Sequence, residues 1–265
     1  MQPSNKVVNG LWIGTSLSKV ELLTIHSFLA AGHSFRLWTY ESIETVLPNN
    51  VTLCDANTII PSTNVFTYKN TNAYGHGKGS VAGFSDIFRY KLLYEYGGWW
   101  VDMDVTCLKP LDFEAPYFFR NHHHLEVVGN VMKCPAKSEL MLRCYEEAIQ
   151  TIDENNTDWH KPIEILNRFI EAFGLQEYIV RDVSNHDQWE VTSLYILKQN
   201  KIPESWFFIH WQNEEWRSRE IDKTLFYYKS SLAQLLAKFG LVVLPTSFIG
   251  KSINLLKFSR FKKIF

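Results

Sequence analysis

The chain has 265 residues and a net charge of −1, with 46% apolar and 15% aromatic residues. That length can bury a full core, and so many large rings exclude a disordered chain. No apolar run approaches the roughly 18 residues of a membrane span.

Residues 1–14 lack a signal-peptide pattern, because the first apolar run enters a strand that ends in glycine. That strand is KVVNGLWIGT, residues 6–15. An amphipathic helix follows over 16–33, with Ser18 as N-cap, Glu21 at the capping-box position and Gly32 as the stop. SFRLWTYES (34–42) is a second strand. Strand, helix, strand predicts a parallel α/β unit. Ligands bind beyond the carboxyl ends of such strands, which places Trp12–Gly14 and Tyr40 near a site. Residues 55–79 read as loop, with TNAYGHGKGS (71–80) the most flexible part. SVAGFSDIFRYKLLYEYGG (80–98) has helical period. Phe84, Ile87, Phe88, Lys91 and Leu92 share one stripe, Asp86, Arg89, Tyr90 and Leu93 another, and Gly97 ends the helix. The spacing predicts a strand over WWVDMDV (99–105), a strand and turn over 122–135, helices over 137–152 and 162–174, and strands over 191–197 and 205–212. Cys54, Cys107, Cys134 and Cys144 show no C-x-x-C spacing and suit free thiols in a reducing compartment.

Asp102 and Asp104 stand one residue apart in GGWWVDMDV. On a strand they would share one face. Two carboxylates so placed repel each other, and burial makes their ionisation costly. A divalent cation with a preference for oxygen ligands removes both problems. A lone D-x-D is a weak signal. Here a helix carrying Asp86 and Arg89 runs directly into it.

LWIG (11–14), SFLAAGHSFRLWTYE (27–41), SDIFRYKLLYEYGGWWVDMDV (85–105) and FIHWQNEEW (208–216) resemble the DXD-containing glycosyltransferases of family 32. Relatives of that family include initiating mannosyltransferases, α-1,4-galactosyltransferases and, distantly, glucosylating clostridial toxins. The likeness is dense over 7–110 and thinner to about 217. It implies an α/β GT-A nucleotide-sugar-binding fold, a mixed and mostly parallel sheet flanked by helices. It also implies a nucleotide-sugar donor, Mn²⁺ (or Mg²⁺) and retention of configuration. By resemblance Asp104 ligates the metal, and Asp102 meets the metal shell, ribose or sugar. Asp86 and Arg89 match a helix that reaches the donor hexose, with Ser85 beside them; the other reading of that pair is a surface ion pair. Trp12 matches a ring that stacks on uracil, or is a core tryptophan at a strand end. Trp100 falls on the donor side and Trp99 in the core. His210 falls near the metal, or is a satisfied core histidine. Asn213 and Trp216 match positions near the diphosphate, and Gly129 and Asn130 a turn facing donor or acceptor. His122–His124 reads as solvated or acceptor-side, without a partner for metal binding.

Residues 1–225 are expected to form one GT-A domain, with 226–265 a basic amphipathic extension. Of the 27 basic residues seven lie from Phe226 onward, where no acidic residue occurs, leaving 20 to face all 28 acidic ones. Such a tail suits an anionic membrane surface. On a helix Leu255, Phe258 and Phe261 fall between Lys251, Lys257, Arg260, Lys262 and Lys263. The expected setting is cytoplasmic, peripheral at a bacterial inner membrane. A hexose, galactose or N-acetylgalactosamine, would pass from a UDP-sugar to a saccharide or lipid-linked saccharide acceptor in surface polysaccharide synthesis. No nucleic-acid partner is expected. Two other classes use the same aspartates: a metal phosphohydrolase and a non-catalytic saccharide-binding protein.

Overall fold

A computed structural model describes residues 3–261. A short α1 (Pro3–Lys6) leads into β1 (Val7–Trp12), then α2 (Lys19–Ala30), β2 (Ser34–Thr39) and β3 (Val51–Asp55). The long α3 (Ala82–Tyr96) precedes β4 (Gly98–Val101), β5 (Val105–Cys107), β6 (Phe118–His122) and β7 (Glu126–Cys134). Then come α4 (Glu139–Thr151), α5 (Lys161–Ala172), β8 (Ile179–Val180), α6 (Trp189–Leu197) and β9 (Phe208–His210). The chain closes with α7 (Asn213–Ser218), α8 (Ser231–Lys238) and α9 (Phe248–Phe261).

Seven strands form one sheet in the order β3-β2-β1-β4-β7-β6-β8. β3, β2, β1 and β4 run parallel, β7 is antiparallel to both β4 and β6, and β8 is parallel to β6. This is the mixed, mostly parallel α/β sheet that the sequence implied. β5 and β9 form a separate antiparallel ribbon, with Val105 opposite His210.

Local chemistry explains the frame. Ser18 accepts from the Val20 N–H and Glu21 reaches back to the Ser18 N–H at 2.7 Å, so the expected capping box is present. Asn9 is buried in β1 but satisfied, giving its amide to the Trp99 carbonyl and taking the Trp38 indole N–H. Gly97 ends α3 with φ of 62°, and a Cβ there would lie 2.3 Å from the Ala136 nitrogen. Both α3 stripes are buried, because the helix lies between the sheet and α4–α5.

Three expectations change. Asp102 and Asp104 do not share a strand face: β4 ends at Val101, and the Val105 N–H closes a turn onto the Asp102 carbonyl. The D-x-D thus occupies the turn where the chain leaves one sheet for the other. VTSLYIL is helix, not strand. Its β-branched and aromatic residues suggested a strand, but Trp189, Thr192, Ser193 and Ile196 are buried at helical spacing. β3 and β6 carried no strand expectation. β3 is a half-exposed edge strand without clean alternation, and β6 carries Arg120 and Asn121 within its apolar run.

Within 226–265, α8 packs Leu232, Leu235 and Leu236 against Trp189, Ile196 and Trp216 of the body. α9 follows, with Ile249, Ile253 and Leu255 exposed. Lys262, Lys263, Ile264 and Phe265 of the expected amphipathic face lie outside the described residues. Among the described residues no helix is long and apolar enough to cross a membrane.

Candidate active site

A cavity of about 940 Å³ opens at the carboxyl ends of β1 and β4. Trp12 and Ile13 line it from β1, Ser85, Asp86 and Arg89 from α3, and Trp100, Asp102 and Asp104 from the β4 end. Gly129 and Asn130 reach it from β7, and His210, Asn213 and Lys223 from the late chain. Tyr40 does not line it; its ring packs on Phe84 and Phe88, and its hydroxyl donates to the Ile60 carbonyl.

On one wall Arg89 lies between two carboxylates. Its Nη2 is 2.9 Å from Asp86 Oδ1 and 3.2 Å from Asp102 Oδ1. The guanidinium also faces the Trp100 ring at 5.4 Å. The surface-pair reading fails, since Arg89 is only 5% exposed. Gly129 makes room for this arginine: a Cβ there would stand 2.5 Å from Nη1. Burial pushes Asp86 up to about 6, against the opposing pull of Arg89. Burial also raises Asp102, opposed by Arg89 and reinforced by Asp104. Trp100 Nε1 donates to Asp102 Oδ1 at 2.8 Å, and the Asp102 N–H donates to the Asn130 carbonyl.

On the other wall the Asn213 N–H donates to Asp104 Oδ2 at 2.5 Å. The His210 Nε2 lies 3.3 Å from the same oxygen, and its Nδ1 2.6 Å from Asp187 Oδ1. Burial disfavours charge on His210, yet Asp104 and Asp187 outweigh it and push the imidazole up to about 10. Burial likewise opposes ionisation of Asp104, but His210, the Asn213 N–H and Lys223 hold it below the usual carboxylate range. Lys223 bridges Glu21 Oε1 at 2.5 Å and Asn213 Oδ1 at 2.6 Å.

Two participants have no sequence signal tying them to the D-x-D. Asp187 lies in the loop before α6, and Arg120 in β6. Arg120 is fully buried and donates to Asp187 Oδ2 at 2.7 Å, Asn130 Oδ1 at 3.2 Å and the Asn185 carbonyl. Despite burial, Arg120 and His210 hold Asp187 far below its ordinary value. An arginine inside the apolar run YFFRNH was the one available hint. His122, read as lacking a partner, stands 3.7 Å from Asp187 Oδ2. Trp216 sits in the core at 1% exposure, its Nε1 bound to the Trp211 carbonyl, so it has no free donor for a diphosphate. Trp99 is fully buried, as expected.

Among the described residues no three His, Cys, Asp or Glu side chains form a closed metal cage. The donor set nevertheless fits a divalent cation. The hydrogen bonds of Asp102 fall on Oδ1 and those of Asp104 on Oδ2, leaving one oxygen of each without a partner among the described residues. Asp86 shares Arg89 with Asp102, and Asp187 is matched by Arg120.

Residues 44–120 match the model of a family described as a glycosyltransferase sugar-binding region containing a DXD motif. No curated protein matches the chain. Among solved structures it is similar to PaToxG glycosyltransferase, at 12% identity, covering 63% of this chain and 68% of that one, with a TM-score of 0.45. It is also similar to a mutant transferase, at 9% identity over 64% and 85% of the two chains, with a TM-score of 0.43. The segment 44–120, which supplies Asp86, Arg89, Asp102 and Asp104, is thus the part of the chain that resembles a glycosyltransferase sugar-binding region containing a DXD motif.

Proposed function

We propose that the protein transfers a hexose from a nucleotide sugar, a UDP-sugar in the first instance, to a saccharide acceptor. The observation that carries this reading is the meeting of the Asp86–Arg89–Asp102 network and the Asp104–His210 pair at one cavity. Asp102 and Asp104 would hold Mn²⁺ or Mg²⁺, which supplies positive charge to the departing diphosphate; His210, expected near the metal, has both ring nitrogens facing carboxylates and instead positions Asp104. Arg89 and Asp86 bind the hexose end, and Trp12 the base. Lys223 adds a cation beside Asp104. A retaining, front-face course in which the leaving phosphate takes the acceptor proton needs no protein nucleophile. A two-metal phosphohydrolase is disfavoured, because arginines neutralise the two further carboxylates, Asp86 and Asp187. A screen of nucleotide sugars for Mn²⁺-dependent release of free nucleotide tests the reading. A protein that only binds saccharides would release none from any donor.

Trp12 is half-buried, with its Nε1 bound to the Ser16 carbonyl, and it lines the cavity. Trp12→Ala is expected to weaken nucleotide binding by about 1–3 kcal/mol, as for a lost base stack. Calorimetry with UDP reads this directly. A collapsed melting transition instead would assign the ring to the core.

The exposed Ile249, Ile253 and Leu255 beside Lys251 support an interfacial role for α9 on an anionic membrane, where a lipid-linked acceptor would be met. Because α8 belongs to the core, the informative truncation ends after Leu244. Full-length protein is expected to pellet with anionic vesicles at low salt, and the truncated form to stay in solution. Equal pelleting of both, or of neither, would remove the membrane from the reading.

A further inference from the structure

Beyond the donor-side residues the cavity continues along a wall of rings. Tyr68, near enough to Asp86 for that carboxylate to raise its pKa after burial, has its ring 6.1 Å from Trp159. Trp159 in turn is 5.7 Å from His76, and Tyr74 is 5.4 Å from His160. Tyr74, His76, Trp159 and His160 all line the cavity, yet none of them belongs to the donor-side networks.

The wall is held in place. The glycines of the 72–80 loop, Gly75, Gly77 and Gly79, take φ of 82°, 108° and 79°, so the loop folds back on itself. Glu214 accepts from the Gly77 N–H at 2.9 Å, Glu215 lies 3.1 Å from His76 Nε2, and Arg217 donates to the Lys78 carbonyl at 2.8 Å. The loop that carries Tyr74 and His76 is thus tied to α7. Tyr74 is 66% exposed, so its ring is open to a ligand.

We infer that Tyr74, His76, Trp159 and His160 form the acceptor subsite and take a pyranose ring. The inference rests on the donor reading above: Asp86 and Arg89 line the same cavity as the ring wall, so an acceptor seated on the rings would share one chamber with the donor hexose. A pyranose has C–H groups on its faces and hydroxyls around its rim. The negative face of an aromatic ring attracts the C–H groups, and imidazole and phenol edges meet the hydroxyls. Tyr74 and His160 supply both kinds of contact on the open side of the wall.

The test is saturation-transfer NMR on the protein alone, with methyl galactoside, methyl glucoside and methyl mannoside as probes. At least one glycoside is expected to receive saturation at its ring C–H protons. Tyr74→Ala and His160→Ala, each checked for a parent-like melting transition, should weaken that binding roughly five- to tenfold. Neither side chain belongs to the hydrophobic core, and two separate variants guard against misfolding of one. No saturation of any glycoside by the parent protein, or equal saturation in parent and both variants, would overturn the subsite. The donor screen is read separately on the parent protein. Glycoside binding without nucleotide release would sink the transfer reading and keep the ring wall as a sugar site; the reverse would sink the wall alone.

Discussion

Asp104→Asn should abolish turnover while leaving the fold standing. The amide keeps the side chain's shape, and β5 and β9 keep their ladder. The charge that would hold the cation is gone. Donor hydrolysis is expected to fall on the order of 100- to 1,000-fold, the scale of a lost group that stabilises developing charge. Mn²⁺ affinity should fall with it. His210 would lose one of the two carboxylates that now raise it, and would rely on Asp187 alone. Calorimetry with Mn²⁺, a donor-hydrolysis assay and a melting curve read the three effects separately. Hydrolysis at the parent rate with Mn²⁺ present would show that Asp104 holds no catalytic cation.

Arg89→Ala should be the most destabilising change in the site. It would leave Asp86 and Asp102 buried and unpaired, a situation that costs about 3–5 kcal/mol. Sugar transfer should fall further than UDP binding, because the pair belongs to the hexose end. Asp86→Asn gives the contrast. The folded protein holds Asp86 at about 6, above the ordinary 3.8, so the folded state binds the proton more tightly than the unfolded one. Stability from this group is therefore greatest below about pH 4 and declines as pH rises through about 6. The whole change is roughly 3 kcal/mol at most. Asp86→Asn should flatten the melting temperature across that window and impair transfer at pH 7. Unchanged transfer in both variants would reduce the pair to a structural tie.

The frame was legible because it rests on local rules. The capping box at Ser18 and Glu21, the glycine stop at Gly97 and the apolar periods of α3, α4 and α5 are all written within a few residues. The α3-to-D-x-D unit was legible for the same reason, since Asp86, Arg89, Asp102 and Asp104 lie within 19 consecutive residues. The Asp187–Arg120 pair was not, because its members stand 67 positions apart and share no motif. Glu21 shows how one residue can hide a second role. Its capping function is visible locally, but its bond to Lys223 spans 202 positions. α6 was misread because residue type and period disagreed, and packing on α8 decided for the helix. The turn at Asp102 was missed because a strand reading carries no mark of where hydrogen bonding passes to another sheet.

The β5–β9 ribbon bears on how the molecule comes into being. Val105 pairs with His210, so the two halves of the Asp104–His210 wall are joined by three residue pairs across more than a hundred residues of chain. Contacts of such long separation form late, because the loop between them must close first. During synthesis Asp86, Arg89, Asp102 and Asp104 emerge early, on α3 and in the turn after β4. His210 and Asn213 cannot join them until the ribosome has passed residue 213. A nascent chain therefore exposes two closely spaced aspartates well before it owns the groups that balance Asp104, and competence for donor arrives as a late, single step. Between the two strands only the loop of Asn185 and Asp187 touches His210 by hydrogen bond among the described residues, so loops elsewhere in that stretch can change length without shifting Asp104 from His210.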